Sequence, residues 1–226
     1  MLRYRTFLLF VHYVCMQHFS LTDIKNWERF YRANLINCLT GFKSVCLIAT
    51  INASGQPNLA VFSSIVHLGS DPALVGYINR PKAAATHTLA NIEATGMYTI
   101  NHIQAAFIDK AHATSAKFDA GINEFEATGL TPLYREQIAI PFVQESNIQY
   151  ALKLVEVVSI QHNNTFLVIG TITDIFIEAA TLHADGFLAI EEAGSITSLG
   201  GDGYYAAEKL ARFAYAKPGI AVKKID

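Results

Sequence analysis

Ser63 and Ser64 place two adjacent hydroxyls at the end of an alternating apolar segment. Arg80 and Lys82 follow a second apolar segment, and Thr86, His87 and Thr88 come directly after them. Small hydroxyls, free backbone donors and one or two cations beside a helix start are what a phosphate ester needs. A phosphate dianion there gains from aligned N–H groups and from charge-assisted bonds to Arg80. A flat ring attached to that phosphate would lie along residues 58–64, where alternation puts Asn58, Ala60, Phe62 and Ser64 on one face. Small side chains on that face let a ring approach the backbone, whose amides can bond a polar ring edge. Each part also has an ordinary reading. A half-buried strand with a polar end accounts for the first. A solvated loop with Thr86 as N-cap accounts for Thr86, but not for the basic residues beside it.

Other chemistries are less well served. No glycine-rich Gly-Lys-Ser/Thr segment forms a P-loop. His102 and His112 have no nearby cysteine or paired carboxylate, so the pattern gives no metal site. No Gly-x-Ser-x-Gly elbow supports a hydrolase. Leu199-Gly200-Gly201-Asp202-Gly203 lacks a preceding βαβ unit, so it reads as a plain loop rather than a dinucleotide turn.

The elements that must position these residues can be read in outline. Ser20 and Asp23 form a variant capping box, and Ile24, Trp27, Tyr31 and Leu35 recur at helical spacing, which predicts one helix over residues 22–37. Residues 45–51 read as a buried strand, residues 52–55 as a hairpin turn and residues 58–66 as the returning strand. Strands are expected at 73–78 and 96–101, with a helix at 86–94 between them and a short helix within 103–113. Residues 115–148 read as mostly irregular, the kind of long connection that covers a site or an interface. Residues 149–158 and 165–177 are strongly β-like and joined by a turn, and a helix is expected at 206–215. This order fits a closed antiparallel barrel with helices packed outside.

The composition narrows the class. The 226 residues suit one well-filled domain, and 51% hydrophobic content leaves apolar surface that a subunit interface could bury. A formal net charge of −2 argues against a nucleic-acid partner. The three cysteines, Cys15, Cys38 and Cys46, cannot all pair within the chain and lack zinc spacing, which fits a reducing, cytoplasmic compartment. Residues 1–15 have a basic start and an apolar run too short to span a bilayer, with no small-x-small cleavage site after it. The expectation is a single domain over residues 16–226, beginning at Met16 after a non-native or signal-like extension, and no membrane span.

Several segments, in order over about residues 40–215, resemble the flavin reductase-like, FMN-binding split-barrel flavoproteins. They are the strand and hairpin of residues 45–55, the 58–64 element, Ser70-Asp71-Pro72, Arg80 with Thr86-His87-Thr88-Leu89-Ala90-Asn91-Ile92, Asn101, Glu124-Phe125-Glu126-Ala127-Thr128-Gly129-Leu130-Thr131-Pro132, and residues 141–152. The resemblance implies a mainly β fold, a closed antiparallel Greek-key split barrel with peripheral helices, usually a homodimer with FMN near the interface. It implies a cofactor-binding set of Asn58, Ala60, Val61, Phe62, Ser63, Ser64, Arg80, Thr86, His87, Thr88, His112 and Ser115. Within that set Phe62, Ser63 and Ser64 would follow the isoalloxazine and ribityl chain. Arg80, Thr86 and Thr88 would hold the phosphate, and His112 and Ser115 would contact flavin from the connecting segment. Two departures stand out: Ala83-Ala84-Ala85 and His87 where relatives usually carry Lys-Asp before the threonine, and Ser198 where relatives often carry arginine.

The implied activity is that of an FMN-dependent oxidoreductase taking hydride equivalents from a small-molecule donor, NADH or NADPH. Since the cofactor carries the chemistry, no catalytic side chain is required or assigned. The alternatives are a non-catalytic FMN-binding or electron-carrier module, and an FMN-dependent oxidase or oxygenase of a small organic substrate.

Overall fold

In the computed structural model, which describes residues 16–84, 87–119 and 121–226, the framework is a seven-stranded antiparallel sheet. The reading of residues 1–15 as an extension therefore lies outside the described residues. The elements in chain order are α1 (Leu21–Asn26), α2 (Arg29–Leu39), β1 (Lys43–Ser44), β2 (Cys46–Ile51), β3 (Pro57–Phe62), β4 (Val66–Ser70) and β5 (Ala73–Asn79). After these come α3 (His87–Thr95), β6 (Met97–His102), α4 (Ile108–Ala113), α5 (Glu124–Thr128), β7 (Pro132–Arg135) and β8 (Ile138–Val143). The chain ends with β9 (Ile148–Ile160), β10 (Thr165–Ile177), β11 (Ile196–Leu199) and β12 (Gly203–Ala206).

The large sheet runs β3-β2-β6-β9-β10-β5-β4, with β7–β8 and β1–β11–β12 as smaller sheets beside it. Strand β2 shows why the sequence 45–51 is apolar throughout rather than alternating. Its Leu47 and Ala49 enter one core with Leu59, Phe107, Phe125 and Val143, while Cys46 and Ile48 enter another with Tyr77, Tyr98, Leu152 and Val168. A strand with a core on both faces has no solvent side to make polar. Helix α3 closes the second core with Leu89 and Ile92. Gly170 is required there, because a side chain at that position would collide with the Tyr98 hydroxyl.

The fold is mainly β, as expected, but the two end strands of the sheet, β3 and β4, do not pair with each other through backbone bonds. The chain passes straight from one to the other through residues 63–65. Within that connection Ser64 bonds to β5, continuing the β4–β5 ladder: its Oγ donates to the Ile78 carbonyl and accepts from the Ile78 N–H, both at 3.1 Å.

Two local expectations change and one is partly met. The single helix over 22–37 is two helices. Trp27 is extended (ψ 149°), and the Glu28 carboxylate accepts from Phe30 N–H at 2.7 Å and Tyr31 N–H at 3.0 Å, starting a second helix. The capping box of Ser20 and Asp23 is present at the first. Residues 115–148 are irregular over just more than half their length, as expected, but they also contain α5 and the β7–β8 hairpin, whose tight turn places Gln137 at φ 67°. The helix expected at 206–215 does not form. Strand β12 ends at Ala206, and the tail folds back on itself through Arg212 N–H to the Asp226 carbonyl and Ile225 N–H to the Arg212 carbonyl.

Candidate functional site

Strand β3, the turn after β5, the start of α3 and the segment after α4 enclose one cavity of about 560 Å³, within the size range of small-molecule sites. Asn58, Ala60, Val61, Phe62, Ser63 and Ser64 all line it. Alternation predicted only one face of β3 there. Ser63 joins because regular pairing of β3 ends at Phe62, and beyond a strand end the two faces no longer separate, whereas Val61 is still paired with Leu47 and lines the cavity while packing against the first core.

On the opposite side of the sequence motif, Arg80, His87 and Thr88 line the same cavity, as do His112 and Ser115. Thr86 lies outside the described residues. The structure thus gathers the eleven described members of the sequence-derived set around one space.

The bonds within this set assign the donors. Asn58 and Thr88 are buried, and Asn58 Nδ2 donates to Thr88 Oγ1 at 3.3 Å, tying β3 to α3. The Thr88 hydroxyl proton has no acceptor among the described residues. Ser64 is committed to Ile78, whereas Ser63 has no protein partner for its hydroxyl among the described residues. Arg80 is exposed and makes no ion pair among the described residues. Lys82, by contrast, pairs with Glu93 at 3.0 Å and lies over the Phe166 ring, away from the cavity lining. The basic cluster seen in the sequence is therefore one free cation in the cavity and one surface ion pair beside it.

Sequence reasoning missed several lining residues. Glu124, at the first turn of α5, is buried, and its Oε2 accepts from the Leu59 N–H of β3 at 3.1 Å. Burial raises its pKa, opposed by the Leu59 bond and by the nearby His87 charge. Its motif was visible, but nothing in the spacing says that α5 packs on β3. Lys43 faces the cavity with Nζ donating to the Asn37 carbonyl at 3.0 Å and to Asn37 Oδ1. The loop read as plain, residues 199–203, contributes Gly200 through Gly203, followed by Tyr204. The Tyr204 hydroxyl lies 2.9 Å from His112 Nδ1. Those two residues are 92 positions apart, a separation no local pattern bridges.

The cavity fits a phosphorylated planar cofactor on its own terms: a strand end with small side chains, a free hydroxyl, an unpaired guanidinium and a buried threonine at the first turn of a nine-residue helix. The buried Glu124 carboxylate opposes an anion, but its Oε2 is already engaged by a backbone N–H and its charge is disfavoured by burial. Such a set can bind and orient a ligand. Among the described residues it holds no nucleophile–base pair.

Comparison with known proteins supplies independent information. The family described as flavin reductase like domain matches residues 42–189. Among solved structures, a candidate flavin reductase with split barrel domain from Shewanella frigidimarina NCIMB 400 is 44% identical, with TM-score 0.86, over 89% of this chain and 100% of that one. Nitrilotriacetate monooxygenase component B from Bacillus cereus shares the fold at 19% identity and TM-score 0.76, covering 88% of this chain and 99% of that one. A protein of Aquifex aeolicus (strain VF5) is 25% identical over 159 residues, 70% of this chain and 80% of its own length.

Proposed function

The chain belongs to the flavin reductase-like domain family and is a flavin-related oxidoreductase, and on that footing we propose that its cavity binds FMN and that reduced nicotinamide dinucleotide is the electron donor. The observation that carries this reading is the convergence of the β3 end, Arg80 and the first turn of α3 on one space. When bound, the cofactor supplies an acceptor for a hydride equivalent, so the protein's work is placement. Phe62 and Ser63 lie along the flat ring and ribityl chain. Arg80, Thr88 and His87 face the phosphate, with Thr86 assigned to the same group from the sequence. Ser115 contacts the flavin from the segment after α4. Glu124 holds the Leu59 amide and so fixes the backbone of the strand beneath the ring.

The remaining features of the reading follow from the same family. Residues 16–226 act as one domain, and the sheet belongs to a split barrel. Two chains associate as a homodimer. In support, Phe30 (75% exposed), Leu39 (71%), Leu210 (87%) and Tyr215 (91%) leave large side chains uncovered in a single copy. Cys38 and Cys46 carry free thiols, which suits a cytoplasmic protein. Among the described residues no helix is long and apolar enough to cross a membrane.

The test is FMN titration of the purified protein, followed by flavin fluorescence. The expected result is saturable quenching at one FMN per chain. Absence of quenching, in a protein that is also colourless as isolated, refutes the cofactor assignment.

A further inference from the structure

The long ladder of β9 and β10 leaves its hairpin turn at one end and finishes at the other where Ile148 pairs with Ile177. A second cavity, of about 390 Å³, opens at that far end and shares no lining residue with the first. Its size suits a small molecule. Arg135, the last residue of β7, lines it, and among the described residues no other charged side chain does.

The guanidinium is held in one place. Its carbon lies 4.0 Å from the centre of the Phe176 ring and 5.4 Å from that of Phe142, and Nη2 donates to Gln149 Oε1 at 2.7 Å. Gln149 is 2% exposed and is fixed in turn, since its Nε2 donates to the Val143 carbonyl at 2.6 Å and the Ser146 carbonyl at 3.0 Å. Strand pairing sets Gln149 directly opposite Phe176, so the ring and the amide that grip Arg135 come from one cross-strand pair.

Nothing among the described residues balances the charge so held. Arg135 makes no ion pair there, its Nε–H is shielded from water without an acceptor, and Nη1 makes no hydrogen bond. A guanidinium cannot escape by losing its proton, and drawing it partly out of water with one neutral amide as partner is unfavourable. Stacking on Phe176 offsets some of that cost. A carboxylate offsets more, because its two oxygens match the guanidinium fork. The neighbouring donors are already engaged: Ser146 Oγ donates to the His102 and Ile148 carbonyls, and Asn147 Nδ2 to the Ala193 carbonyl. Arg135 is thus the donor left for a ligand. Beside it Ile177 is half-buried and Ile175 is 60% exposed, an apolar wall for the rest of that ligand.

We propose that this cavity is a binding site for an apolar monocarboxylate, whose carboxylate pairs with Arg135 and whose hydrocarbon part lies against Ile175 and Ile177. The site is separate from the first cavity and does not depend on the FMN reading.

The experiment titrates benzoate, and benzamide as its neutral counterpart, into the protein saturated with FMN, by calorimetry at pH 7 and fixed ionic strength. Benzoate should fill one site per chain with a Kd of about 1 mM, and benzamide should bind roughly tenfold more weakly or worse. Arg135→Gln removes the cation, and Ile175→Glu sets a carboxylate at the exposed mouth of the cavity. Each should weaken benzoate by roughly tenfold or more while FMN affinity, read by fluorescence, stays within about twofold of wild type. Ile175→Glu carries the test if Arg135→Gln does not fold, because position 175 is exposed. Equal binding of benzoate and benzamide, wild-type benzoate affinity in the folded variants, or no saturation by about 20 mM overturns the proposal. Light scattering completes the test. A dimer that becomes a monomer in both variants shows that a carboxylate of a second copy fills the cavity, and this also overturns the proposal. Failure of the protein to bind FMN leaves the benzoate result intact, so the two readings fail separately.

Discussion

The two serines at the end of β3 make opposite predictions when replaced singly by valine. Ser64 Oγ both donates to the Ile78 carbonyl and accepts from the Ile78 N–H, each at 3.1 Å. Valine preserves β-propensity and approximate size, but it leaves both backbone groups unpaired at a partly buried position. An unpaired buried group costs about 1–3 kcal/mol, and this position is not fully shielded from water, so Ser64→Val should destabilise by about 2–3 kcal/mol. For a chain of this length that is a fall in Tm of roughly 5–10 °C. Ser63 has no partner for its hydroxyl among the described residues, so Ser63→Val should leave the apo Tm nearly unchanged, within about 0.5 kcal/mol. It should instead weaken FMN about tenfold, through a lost hydrogen bond and methyl groups crowding the ring. The assay is paired: thermal unfolding of the apo proteins by circular dichroism, and FMN titration by fluorescence. An unchanged Tm for Ser64→Val refutes this structural role of Ser64. Wild-type FMN affinity in Ser63→Val refutes the strand end as the flavin platform.

Further outcomes follow from other residues. Arg80→Ala should weaken FMN by about 1.5 kcal/mol and riboflavin hardly at all, because only FMN carries the phosphate; equal losses in the two titrations would place Arg80 elsewhere. His102, whose Nδ1 lies 3.0 Å from Ser195 Oγ, is pushed down by burial to about 4 from an ordinary 6.5. Between those values the unfolded chain binds a proton that the folded chain refuses, so stability rises with pH across that window and falls on acidification. The loss amounts to up to about 3 kcal/mol, and denaturant melts of wild type and His102→Gln between pH 7 and pH 4 should show the slope flattened in the variant. Light scattering of the FMN-loaded protein should give the mass of two chains; a monomer with FMN bound contradicts the interface reading.

Much of this site was legible because its residues are close in sequence. The hydroxyls at 63 and 64 and the cations near α3 come from consecutive elements, and strand alternation with helix-start chemistry is local physics. Lys82 shows the limit of composition: adjacent basic residues need not share a direction, and Glu93, one helix away, takes it out of the cavity. Glu124 and Tyr204 were illegible for a different reason. Each reaches the site through tertiary packing, of α5 on β3 and of β12 on α4, and such pairings leave no periodic trace. The strands of the large sheet were read from apolar runs, yet the β7–β8 hairpin was not, because its turn at Glu136-Gln137 carries no glycine. The helix expected at 206–215 fails for want of a packing partner. Leu210 and Tyr215 remain exposed, so no packing surface in one copy rewards a helix there.

The most direct test is the visible spectrum of the FMN-loaded protein under anaerobic conditions, before and after NADH or NADPH is added. The oxidised-flavin bands should be present at first and should bleach on addition of one dinucleotide, returning when air is admitted. A flavin spectrum that neither NADH nor NADPH bleaches, although dithionite does, would contradict a nicotinamide-driven oxidoreductase and leave only a flavin carrier.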